Sequence, residues 1–127
     1  MKSLTLFRHA KTESDAESGR DFDRRLTERG RDDAARMGEE IGELGLGFDL
    51  ILSSPAARAA ETAELAGLAS RFDQRIYDAS AGDLLAIVQD MDDAIGRAML
   101  IGHNPGFERL ASRLAGQELE KRNTKRE

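Results

Sequence analysis

The chain has 127 residues, 39% hydrophobic and 34% charged, with a formal net charge of −5 and no cysteine. That length and balance describe one folded domain with a real core rather than a disordered segment. They exclude disulfides and thiolate chemistry, argue against nucleic acid or an acidic membrane as main partner, and leave no apolar run near the roughly 20 residues of a bilayer span.

Met1-Lys2-Ser3 leads straight into a strand and not into a signal-peptide core, so a cytoplasmic location is the expectation. Residues 3–8 read as strand one, a short apolar run that ends abruptly in Arg8 and His9. A polar loop follows over residues 10–25. Helix one starts with Thr27 as N-cap and runs to about Leu44, with Ala34, Met37, Ile41 and Leu44 at helical spacing; Gly45 and Gly47 stop it. Strand two is Asp49–Ser53. Ser54-Pro55 predicts the start of helix two, with Ser54 as cap and proline at the first helical position, and Ala56, Ala59, Ala60 and Ala63 give it one small-residue side.

Gln74–Tyr77 reads as a weaker strand three near a sheet edge. Ser80 and Asp83 form a capping-box pattern ahead of helix three, which carries Leu84, Leu85, Ile87 and Val88. Ala98–Ile101 is strand four, and Asn104-Pro105 repeats the cap-plus-proline start for helix four, which extends to about Gly116. Four successive strand–helix units predict an α/β fold, a three-layer α/β/α sandwich with a mostly parallel central sheet. We expect one domain over 1–116 and a polar tail over 117–127.

Open α/β sheets bind ligands at the carboxyl ends of their strands. This chain places Arg8 and His9 after strand one, Ser53, Ser54 and Arg58 after strand two, Tyr77 and Asp78 after strand three, and His103 and Asn104 after strand four. Its only two histidines thus stand at matching positions, and Arg24 can fold over the same edge from the first loop. Guanidiniums beside an imidazole pair suit a dianionic oxyanion such as phosphate, because the arginine fork serves two oxygens and stays charged. The same positive surroundings keep an imidazole neutral and nucleophilic.

Arg8-His9-Ala10-Lys11-Thr12, Ser53-Ser54-Pro55 with Arg58, and Gly102-His103-Asn104-Pro105-Gly106, in order between residue 3 and about residue 116, resemble the histidine phosphatase (phosphoglycerate mutase-like) superfamily. The Arg-His-Ala variant and the His-Asn-Pro-Gly turn are most similar to its SixA-type phosphohistidine phosphatase branch. The resemblance implies that His9 attacks phosphorus and becomes a transient phosphohistidine. It implies that Arg8, Arg58 and His103 hold the phosphoryl oxygens, that Arg24, Thr12 and Asn104 contact the substrate, and that neither a metal nor another cofactor is needed. The substrate it implies is a phosphorylated protein carrying phosphohistidine, or a small phosphate ester, and we expect a monomer.

Two departures from the family pattern matter. Many relatives carry a glutamate beyond strand three as general acid, where this chain reads Tyr77-Asp78-Ala79-Ser80, leaving Asp78 as the candidate acid. An imidazole leaving group needs less protonation than an alkoxide, which tilts the expected substrate toward phosphohistidine. Relatives also have another apolar strand after helix four; residues 117–127 hold one apolar residue, Leu119, so that strand is expected to be missing.

Blander readings compete with these. Arg58 reads alternatively as a solvated helix residue, Arg24 as a surface arginine, and Ser54 as a cap rather than a nucleophile. Gly42–Gly47 follows a helix and precedes a strand, the wrong order for a phosphate loop, and Asp90, Asp92 and Asp93 read as a solvated turn. The rival functions are a phosphatase for small phosphate esters and a non-catalytic phosphate-binding regulatory domain.

Overall fold

The computed structural model describes residues 3–115 together with the backbone of 121–123. Its elements in chain order are β1 (Ser3–Arg8), α1 (Glu28–Glu43), β2 (Leu50–Ser53), α2 (Ala57–Leu65), β3 (Arg71–Phe72), α3 (Ala81–Gln89), β4 (Arg97–Gly102), α4 (Gly106–Ala115) and β5 (Lys121–Asn123), with single 3-10 turns at Asp21–Asp23 and Gln74–Ile76. The strands form one parallel sheet in the order β3-β2-β4-β1-β5. This is the three-layer α/β/α arrangement that the alternating pattern predicts.

The two central strands are apolar on both faces, as a covered parallel sheet requires. Leu4, Leu6, Ala98 and Leu100 point into a core with α3 and α4, around Leu84, Ile87, Phe107 and Leu110. Phe7, Met99 and Ile101 point the other way, against Met37 and Ile41 of α1 and Ala59 and Ala63 of α2. Residues 98–101 are wholly buried, and each large side chain among them contributes on the order of 1.5–3 kcal/mol. Between β1 and β4, whose ends lie side by side with Arg8 opposite Gly102, the following helices leave to opposite faces, so a crevice opens there.

Helix starts follow the predicted chemistry in two cases. The Thr27 side chain accepts the Gly30 N–H at α1, and Ser80 and Asp83 form the reciprocal capping box of α3. Helix α4 begins at Gly106 rather than with Pro105 in its first position as the cap-plus-proline pattern predicts, and Asn104 Oδ1 instead accepts the Glu108 N–H at 3.0 Å. Gly45, with φ at +67°, follows the end of α1 in a conformation that suits glycine.

Four further expectations are corrected. Gln74–Ile76 is a 3-10 turn, not a strand: the Asp73 carboxylate accepts the Arg75 N–H at 3.0 Å and also holds its guanidinium, and that local bonding competes with a sheet ladder. The third strand is the two residues Arg71–Phe72 just before it. Leu44 is 63% exposed and lies past the last turn of α1. Helix α2 starts at Ala57, and Ser54 does not cap it; its hydroxyl accepts the Ala56 N–H within the preceding turn.

The fourth concerns the chain's end. Lys121–Asn123 pairs in parallel with β1, Leu4 opposite Lys121 and Leu6 opposite Asn123, where no strand was expected. Ladder pairing is made by backbone groups, so a polar segment at a sheet edge gives no hydropathy signal. The remainder of the predicted 117–127 tail and the end of helix four at Gly116 lie outside the described residues. No helix of the described residues is long and apolar enough to cross a membrane.

Candidate active site

His9 and His103 each follow a central strand directly. The His9 N–H donates to the Gly102 carbonyl at 3.0 Å, which locks the end of β1 to that of β4. The two rings consequently meet, with centroids 5.2 Å apart and planes at 57°. Gly102 lets Phe107 and Ile76 pack against the end of β4: a Cβ there would stand 2.7 Å from Phe107 Cζ and 2.8 Å from Ile76 Cγ2.

Around the pair lies a cavity of about 410 Å3 lined by Arg8, Arg24, Arg58, Tyr77, Asp78, Asn104 and both histidines among others. Arg58 reaches it from the first turn of α2 and is 6% exposed, so it is no solvated surface residue. Arg24 enters from the loop after β1. That loop is tied at its base by a bridge between Thr12 and Leu26, and by Glu61 of α2, whose carboxylate accepts the Leu26 N–H at 2.9 Å. Thr12, whose backbone forms that bridge, is not among the residues lining the cavity. Asp78 lies on the exposed rim with φ at +56°, and Asn104 lines the mouth.

Sequence reasoning passed over the residues that hold these groups in place. Asp21 is the principal one. Its main-chain carbonyl accepts from Arg58 Nη1 at 2.7 Å, and its Oδ2 accepts from Arg58 Nη2 at 2.9 Å and from the Tyr77 hydroxyl at 2.8 Å. Its Oδ1 pairs with Arg24 Nε at 3.3 Å. Thr62, fully buried on α2, accepts the Ala10 N–H at 3.2 Å and donates to the Arg58 carbonyl at 2.7 Å, joining the end of β1 to the helix that carries Arg58. A hint of Thr62 exists in the sequence, since it stands one helical turn beyond Arg58. Asp21 has no such marker among the charges of its loop.

Electrostatics divide the cavity by protonation state. Burial, with the fields of Arg58, Arg8 and Arg24, lowers His9 from the ordinary 6.5 to about 4. Burial and Arg58 lower His103 to about 3. Both rings are therefore neutral at pH 7. Burial also lowers Arg8, with Glu108 opposing it, but a guanidinium keeps its charge. Although burial pushes Asp21 upward, the Tyr77 hydroxyl and Arg58 hold its carboxyl below the usual range, so it stays ionised.

The tautomer of His9 follows from its neighbour. Nδ1 lies 2.7 Å from the Ala10 carbonyl oxygen, which can only accept, so Nδ1 carries the proton. The lone pair of Nε2 is left for chemistry. A neutral imidazole with its Nε2 lone pair uncommitted, amid three arginines, has the chemistry to attack an electrophilic centre on an anion held there.

Comparison with known proteins gives the family and the fold. The sequence pattern of the histidine phosphatase superfamily (branch 1) matches residues 4–98. An uncharacterized chloroplastic protein of Arabidopsis thaliana is 35% identical over 93% of the chain, which spans 61% of that relative's length. An uncharacterized Picosynechococcus protein is 31% identical over 88% of the chain and 72% of its own. Among solved structures, a protein of Agrobacterium tumefaciens provisionally assigned as the phosphohistidine phosphatase SixA superposes with a TM-score of 0.83 at 30% identity, covering 93% of this chain and 79% of that one. The fold is also that of a protein histidine phosphatase SixA solved with tungstate, at a TM-score of 0.78 and 24% identity over 87% of this chain and 75% of the other.

Proposed function

The chain belongs to the histidine phosphatase superfamily, branch 1, and from that premise we propose that it is a metal-independent phosphatase working through a covalent phosphohistidine on His9. The observation that carries the reading is the meeting of His9 and His103, 5.2 Å apart, in one cavity with Arg8, Arg24 and Arg58. In the first step the Nε2 lone pair forms a bond to phosphorus, and the bond from phosphorus to the leaving group breaks with its electrons going to that group. Arg8, Arg58 and His103 stabilise the charge on the phosphoryl oxygens. In the second step water attacks the phosphohistidine, its proton is released to solvent, inorganic phosphate departs and neutral His9 returns.

We infer that the substrate is phosphohistidine on a protein. Support comes from the acid side of the reaction. Asp21 is ionised and engaged by Arg58, and Asp78 sits on the exposed rim, so no buried carboxylic acid faces the leaving group among the described residues. An alkoxide leaves poorly under those conditions, whereas the ring of phosphohistidine, protonated by solvent on its unsubstituted nitrogen, leaves as neutral imidazole, a weak base. The competing reading, a small phosphate ester with Asp78 as acid, rests on the presence of Asp78 in the cavity lining.

The two separate in one assay: phosphate release from a phosphohistidine protein against release from an aliphatic phosphomonoester, each with and without EDTA. We expect release from the first to exceed the second by about a hundredfold, the scale of one general-acid contribution, and EDTA to change neither. Equal rates, with the ester reaction lost in Asp78→Asn, contradict the phosphohistidine reading. Turnover abolished by EDTA contradicts the metal-independent one. Phosphate protecting the fold from heat while no donor is hydrolysed identifies a binding domain instead.

A further inference from the structure

The second histidine has a neighbour that the reaction above does not use. Ser54 is wholly buried at the end of β2, and its Oγ lies 2.7 Å from Nε2 of His103. The same Oγ accepts the Ala56 N–H at 3.2 Å. A serine hydroxyl has one proton to give and two lone pairs. The Ala56 N–H takes one lone pair, and among the described residues the other polar atom given a hydrogen bond to this hydroxyl is His103 Nε2. If that nitrogen carried the proton, the buried hydroxyl hydrogen would have no acceptor, which costs the desolvation of an unmade bond. The balanced arrangement has Ser54 donating and Nε2 accepting.

We propose that Ser54 is a positioning residue that holds neutral His103 as its Nδ1–H tautomer, so that the ring offers the phosphoryl group a hydrogen-bond donor. A second observation points the same way. His103 Nδ1 is buried without a hydrogen-bond partner among the described residues, although the ring lines the cavity. An N–H there awaits an acceptor, and a phosphoryl oxygen supplies one. The alternative tautomer would aim a lone pair at an oxyanion, which is repulsive.

The two histidines then share a tautomer and differ in use. His9 hides its Nδ1–H against the Ala10 carbonyl and keeps the Nε2 lone pair for attack. His103 hides Nε2 against Ser54 and keeps Nδ1–H for binding. Two rings of one residue type, side by side, become nucleophile and donor through the backbone carbonyl beside one and the hydroxyl beside the other. The inference deepens the phosphatase reading, resting on it for the role of His103, but its test requires no turnover.

Protein labelled with 15N-histidine has only two rings to resolve, and long-range 1H–15N correlation spectra at pH 7 distinguish protonated from bare ring nitrogens. We expect His103 to show a protonated Nδ1 and a bare Nε2. A protonated Nε2 on His103 in the wild type overturns the proposal without recourse to any variant. In Ser54→Ala we expect His103 to shift toward the Nε2–H form and inorganic phosphate to bind roughly tenfold more weakly, the loss of one hydrogen bond to a charged group, with Ser54→Thr restoring both. An unchanged tautomer with unchanged phosphate affinity in Ser54→Ala also overturns it. Absence of hydrolysis on every donor, beside the predicted spectra, would count against the enzyme reading and leave the tautomer assignment standing.

Discussion

The cavity has two walls built differently. The inner wall, His9, His103 and Arg58, stands on β1, β4 and α2, and its members are at most 9% exposed. The outer wall, Asp21, Arg24 and Tyr77, hangs from a long loop and a 3-10 turn; the Asp21 side chain is 55% exposed. Groups on strand ends are held by the ladder and by core packing. Groups on loops hold one another instead, here through a single carboxylate. The contrast teaches where each kind of work belongs: bond-making on the rigid side, and binding and selection on the adjustable one.

If that division is right, substitutions on the inner wall lower kcat and those on the outer wall change affinity. Arg58→Ala is expected to reduce kcat about 10²–10³-fold, as removal of one preorganised charge-stabilising donor does. Arg58→Lys should recover little, because a point charge does not replace the fork. Arg24→Ala should act mainly on KM, by roughly tenfold, in steady-state assays. An Arg24 variant that loses kcat as heavily as Arg58→Ala would erase the distinction between the walls.

Asp21→Asn sharpens it further. The change removes a negative charge that opposes an incoming anion while keeping the shape of the side chain, so calorimetry should show inorganic phosphate binding several-fold more tightly. Weaker binding would mean that the carboxylate is needed chiefly to align Arg58. Thr62→Val, nearly isosteric, leaves the buried Ala10 N–H without its acceptor, and should cost about 1–3 kcal/mol of stability in urea unfolding.

The inner wall also predicts a pH dependence. His9 and His103 have native values of about 4 and about 3 against an ordinary 6.5. Between those values the unfolded chain binds protons that the native protein does not, so stability rises with pH there and falls as pH drops from 6.5 toward 4. Urea midpoints measured across that window should decline toward acid in wild type, and less steeply in His103→Asn. A midpoint that climbs on acidification contradicts neutral buried rings.

How far the sequence alone carried the account follows the same division. Strands β1, β2 and β4 are legible because a buried parallel strand is a short continuous apolar run, and α1 and α3 because Thr27 and Ser80 announce their starts. His9, Arg8, Arg58 and His103 gather in one cavity because a parallel sheet delivers its strand ends to one edge. The edge strands escaped notice: β3 is two exposed residues, and β5 is a polar segment. The bond from Asp21 to Arg58 spans 37 positions and depends on how a loop folds back, which no local pattern encodes. Ser54 misled for a related reason, since its sequence setting suits a helix cap while its hydroxyl answers to His103, 49 residues away.

The central claim is a covalent phosphoryl group on His9. Brief exposure to a labelled phosphodonor, quenching in alkali and peptide mapping test it directly. The account predicts an acid-labile, alkali-stable label on the peptide that contains His9, absent from His9→Ala. A label that persists in His9→Ala, or maps to another residue, contradicts it.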